Sequence, residues 1–122
     1  MITLQSPAGD GGAPEDHVVE EIKTFLGING WLVQVFDQKI QHVDGCGTPD
    51  MFAGKRGRAL WIEAKSRPGP WTTRTGGKRT IPEGKPRRSQ ERFFLKWSGD
   101  IPCIIARSWR DVANELVKLG WD

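Results

Sequence analysis

The sequence predicts an α/β domain built on a mixed sheet, and three observations carry that expectation. Apolar residues recur at helical spacing near both ends of the chain. Short apolar runs between them have the length and alternation of strands. The resulting order, α-β-β-β-α-β-α, interleaves helices and strands, as packed α/β layers require.

The first helix is expected from Glu15 to Ile28. Val18, Ile22, Phe25 and Leu26 form its inward stripe, and Asn29-Gly30 ends it. Residues 1–14, rich in Gly, Pro and small polar side chains, read as a frayed N-terminus. "WLVQVF" reads as a strand and "DQKIQHVDGCG" as a loop or partly paired segment, with "GCG" allowing a tight turn. "DMFAG" and "ALWIEAK" are short strands joined by "KRGR", a hairpin with Gly57 in the turn. Residues 66–88, "SRPGPWTTRTGGKRTIPEGKPRR", show no period and read as a long basic loop, mobile until a ligand closes it. A helix from about Ser89 to Trp97 and a buried strand, "PCIIAR", follow. Ser108 then caps a last helix, with Asp111 in capping-box position and Gly120 after its end. One domain over 15–122 accommodates all of this.

Composition narrows the function classes. The 122 residues are 37% hydrophobic and 27% charged, ordinary for a globular chain, and no apolar run approaches a membrane span. No basic, apolar leader opens the sequence. Cys46 and Cys103 are too few for a disulfide scaffold and lack zinc spacing, so the expectation is two free thiols in a reducing cytoplasm. Charge is uneven. Residues 55–96 hold 13 of the 18 Lys and Arg but three acids, a net +10, against −7 for the remainder. A concentrated basic segment suits a polyanion, most simply nucleic acid, although charge runs are commonly plain solvated faces.

The hairpin supplies the chemistry. With Arg56 and Gly57 as a two-residue turn, Asp50 falls opposite Glu63, with Cβ atoms roughly 5 Å apart. Alternation puts Trp61, Glu63 and Lys65 on one face and the apolar Leu60, Ile62 and Ala64 on the other. A register slip of one residue would undo this pairing. Two carboxylates at that spacing repel by about 3 kcal/mol at an effective dielectric of about 20. Protonation, the Lys65 ammonium or a bound cation relieves the repulsion. Hard oxygen ligands suit Mg²⁺ or Mn²⁺, and such an ion beside a basic segment suits phosphodiester hydrolysis. Lys65 would offset charge developing on the phosphate or orient the water.

These residues carry a family resemblance. "GTPD" followed by "IEAK" resembles the PD-(D/E)XK nuclease superfamily, and most closely its VRR-NUC branch, over residues 15–106. The resemblance implies a restriction-endonuclease-like αβββαβ core, with the C-terminal helix outside it. It implies a metal set of Asp50, Glu63 and the Ala64 backbone carbonyl, joined by Glu15 directly or through water, with Lys65 as the charged helper. Glu15 also continues the inward stripe of its helix; its bland role is a helix-start acid, and Glu20 and Glu21 are fallbacks that read as a solvated flank. Gln90 matches the family's glutamine in the following helix, near the metal; alone it is equally an early-helix polar residue. The family acts on DNA, and its small stand-alone members resemble homodimeric Holliday-junction resolvases. A structure-selective endonuclease on branched or duplex DNA is therefore the expectation, with no membrane partner or organic cofactor. A nicking or single-strand nuclease and an inactive DNA-binding module are the alternatives; the presence of Asp50, Glu63 and Lys65 together speaks against the last.

The 66–88 segment, longer and more basic than a minimal member needs, supplies the DNA candidates: Arg67, Trp71, Arg74, Lys78, Arg79, Lys85, Arg87 and Arg88. Trp71 has two readings, stacking on a base or anchoring the segment to the core. His17, His42 and Cys46 receive no chemistry beyond a conceivable supporting role for His42.

Overall fold

A computed structural model describes residues 11–36, 49–73, 75–86, 88–97 and 99–122, apart from the side chains of Ser89, Gln90, Phe94 and Trp97. It is an α/β fold in which helices flank a mixed sheet. The elements are α1 (Glu15–Ile28), β1 (Leu32–Val35), β2 (Met51–Lys55), β3 (Arg58–Ala64), β4 (Gly69–Thr72), β5 (Lys78–Ile81), α2 (Arg88–Trp97), β6 (Cys103–Ala106) and α3 (Trp109–Leu119).

The central sheet runs β1-β2-β3-β6; the first three strands are antiparallel and β6 lies parallel to β3. The β2–β3 turn has Arg56 at φ 51° and Gly57 at φ 79°. Positive φ at both central residues is the geometry whose twist matches paired strands. It pairs Lys55 with Arg58 and Met51 with Ile62, the register read from the sequence. Met51, Ala53, Leu60, Ile62 and Ala64 are buried, and they join Val18, Ile22, Phe25 and Leu26 of α1 and Val112 and Leu116 of α3 in one core. Trp61 points the other way, into Phe36, Phe52 and Phe93. Burying the Val, Leu, Ile, Phe and Met side chains among these contributes about 1.5–3 kcal/mol each.

The caps follow the sequence. Asn29 closes α1. The Ser108 hydroxyl accepts from the Asp111 N–H, and Gly120 ends α3 in the left-handed region. Asp111 accepts in return from the Arg107 N–H, one residue before the cap.

Four expectations change. Residues 66–88 are not a structureless loop, because β4 and β5 form an antiparallel hairpin within them. Its base is tied down: the Gly12 N–H donates to Pro70 O (3.1 Å) and the Ser66 hydroxyl to Pro82 O (2.9 Å). Residues 11–14 are not frayed; Ala13 is buried and bridges to Arg67. A Cβ on Gly12 would lie 2.2 Å from Gly69 O, so only glycine permits this approach. Glu21 is not on a solvated flank but is ion-paired to Arg67. The β6 strand is half-buried rather than buried, as the outer strand next to β3. Among the described residues no helix is long and apolar enough to cross a membrane.

Candidate metal centre

Three elements meet at one end of the sheet. Asp50 directly precedes β2, Glu63 lies near the end of β3, and Glu15 opens α1. Because the hairpin register is fixed by its tight turn, Asp50 and Glu63 leave the same face of the sheet. Because Val18 and Ile22 bury the α1 stripe, the first turn of that helix brings Glu15 to the same place. One carboxylate oxygen of each of Glu15, Asp50 and Glu63 lies within 4.8 Å of the other two, a grouping that could hold a metal ion.

The site is dry. Glu63 is 0% exposed, Asp50 3% and Lys65 4%. An Asp50 oxygen accepts the Ala64 N–H at 2.7 Å, which fixes its carboxylate across the end of the hairpin. Lys65 Nζ is 3.4 Å from Glu63 Oε1. The pKa of Glu63 is pushed up to about 9, by burial first, then by its hydrogen bond with Asp50 and the charges of Asp50 and Glu15; Lys65 pulls it down less than these push it up. A carboxyl so raised holds a proton at neutral pH until a cation replaces it. The buried Asp50 and Glu63, the half-buried Glu15 and one ammonium leave an excess of negative charge, which a divalent cation compensates and an anion would not.

No family model, curated protein or solved structure matches the chain. The functional reading therefore stands on this geometry and on the sequence pattern.

The candidate residues divide into three groups. Glu15, Asp50, Glu63 and Lys65 are brought together. The Ala64 backbone stands among them, its N–H held by Asp50. Gln90 lies in the first turn of α2, with its side chain outside the described residues.

The basic candidates separate further. Lys78, Arg79, Lys85 and Arg88 are exposed, while Arg74 and Arg87, like His42 and Cys46, lie outside the described residues. Trp71 is half-buried against the core, its ring 4.5 Å from that of His17, so it anchors β4 beside the start of α1. Arg67 differs from the other basic residues, since its guanidinium is turned inward onto Glu21 and two backbone carbonyls.

Sequence reasoning missed Glu21 as a partner, and also Arg107, which donates to Gly84 O (2.6 Å) and pairs with Glu83 (3.4 Å). An acid and a base 46 residues apart carry no local signal, although the position of Glu21 next to the buried Ile22 could have raised the question.

Proposed function

We propose that the chain is a divalent-metal-dependent DNA endonuclease of the PD-(D/E)XK type, close to the VRR-NUC branch, using Mg²⁺ or Mn²⁺. The observation that carries this reading is the convergence of Glu15, Asp50 and Glu63, with the Lys65 ammonium beside them. These are hard oxygen donors in a buried setting, matched to a hard cation. A cation held there would lower the pKa of an attacking water and polarise the scissile phosphate.

The chain's own residues do the rest. Asp50, aimed by the Ala64 N–H, and Glu63 provide ligands from the rigid hairpin. Glu15 adds a third from α1. Lys65, held next to Glu63, sits where it offsets charge developing on the phosphate or orients the water. Release of the Glu63 proton accompanies cation binding, so loading strengthens as pH rises.

The exposed Lys78 and Arg79 of β5, with Lys85 and Arg88, offer ammonium and guanidinium groups to a phosphate backbone. Branched DNA such as a four-way junction is the proposed substrate class. A homodimer would bring two such sites to one junction for paired cuts.

The test is incubation of the protein with labelled linear, flap and four-way DNA, each with Mg²⁺, Mn²⁺ or chelator. Cutting is expected only with metal, and is expected to be lost in Asp50→Asn and Lys65→Ala. Identical products from Asp50→Asn would contradict the assignment. A clean monomer by light scattering at assay concentration would remove the dimer and leave the nuclease.

A further inference from the structure

The three carboxylates do not come from one rigid element. Asp50 and Glu63 belong to the β2–β3 hairpin, and Glu15 belongs to a helix. Like charges at this distance push the helix start away from the sheet. The cap does not resist this, since Pro14 makes no side-chain cap bond. The chain on both sides of Glu15 is tied down by one residue.

Arg67 makes that connection. Its backbone pairs with Ala13 in both directions, each N–H to O distance being 2.9 Å. Its guanidinium donates to Gly11 O, to both oxygens of Glu21 (3.1 and 2.8 Å) and to Arg107 O (3.1 Å). The attachment points on the α1 side, Gly11 and Ala13 before Glu15 and Glu21 after it, bracket the ligand in sequence. Arg107 O, just past β6, ties the same group to the strand that runs beside β3. Arg67 itself follows Lys65 by two residues and Glu63 by four, so it belongs to the chain that carries the other ligands. The Glu21 side chain is 4% exposed and that of Arg67 17%.

A shielded ion pair adds little stability over apolar packing of the same size, so stability alone does not account for it. A guanidinium instead supplies several donors in fixed directions, which suits the joining of three segments. We propose that the Arg67–Glu21 pair is a clasp that positions Glu15 over Asp50 and Glu63. Arg67 is thus a positioning residue of the metal centre and not a phosphate contact. This rests on the metal-centre reading above.

The test measures Mn²⁺ affinity by calorimetry on the full chain, comparing wild type with Glu21→Gln and Arg67→Lys. Amide hydrogen exchange without added metal accompanies it. Glu21→Gln keeps the shape and removes the charge, so it remains informative if Arg67→Lys fails to fold. Binding is expected to weaken by about tenfold in the folded variants, the low end for residues that orient metal ligands. Exchange is expected to quicken at the His17 and Val18 amides, which donate to Pro14 O, and to stay unchanged in β2 and β3. Variants that melt lower yet bind Mn²⁺ within about twofold of wild type would overturn the clasp alone, because a purely structural pair changes stability without changing ligand position. A wild-type chain that binds no Mn²⁺ would overturn the metal centre and the clasp with it.

Discussion

The chain forms two hairpins that answer opposite demands. In β2–β3 alternate residues are buried, the turn has two residues, and the open end carries Asp50 and Glu63. In β4–β5 only Ile81 is buried, and Lys78 and Arg79 are both exposed, one on either side of β5. The first is shaped by the core and holds acids where water is excluded. The second is held at its base and presents bases where water is abundant. Buried acids and exposed bases are thus separated onto two hairpins, one set by burial and one by tethering at its base.

Substitutions at the two hairpins should therefore fail differently. The largest effect is expected at Asp50. Asp50→Asn should lower metal-dependent cutting by about a thousandfold or more, as loss of a group that acts as part of a catalytic unit does. Melting should change little, and gel assays beside thermal scans read both. Next, Leu60→Ala in the buried hairpin should cost about 2–5 kcal/mol, lowering the melting midpoint by about 10 °C or more. Arg79→Ala on the exposed hairpin should stay within about 0.5 kcal/mol. Equal losses at the two positions would break the contrast.

A smaller effect is expected on DNA affinity. Lys78→Ala with Arg79→Ala should weaken binding by about tenfold and reduce the slope of log affinity against log salt by about 2, one for each lost phosphate contact. Titrations at several salt concentrations measure this. An unchanged slope would mean that β5 does not face DNA.

How much of this was legible in the sequence differs between the hairpins for a physical reason. The β2–β3 pattern is written by burial, so alternation at Leu60, Ile62 and Ala64 fixed the facing of Glu63, and the tight turn at Gly57 fixed its partner. Glu15 was readable because Val18 and Ile22 extend its stripe. The β4–β5 strands bury almost nothing, and the hairpin is tied at its base to Gly12, far away in sequence, and by the Ser66–Pro82 bond that spans it. No period records such a dependence. Arg67 looked like its basic neighbours for the same reason; only the approach of Glu21 gives it a different role.

A further effect concerns pH. The Glu63 carboxyl is raised in the fold from its ordinary 4.5 to about 9, so between those values the folded chain holds a proton that the unfolded chain has released. Stability of the metal-free protein should therefore fall as pH rises through that window. Melting scans from pH 5 to pH 8 with chelator are expected to show a steady decline, and Glu63→Gln should flatten it.

The central claim is that Glu15, Asp50 and Glu63 hold one divalent centre. Calorimetric titration of Mn²⁺ at neutral pH, in two buffers of different ionisation enthalpy, tests it most directly. Saturable binding that releases up to about one proton per ion, and that is lost in Asp50→Asn, is the predicted result. Absence of binding, or binding that Asp50→Asn leaves intact, would contradict it.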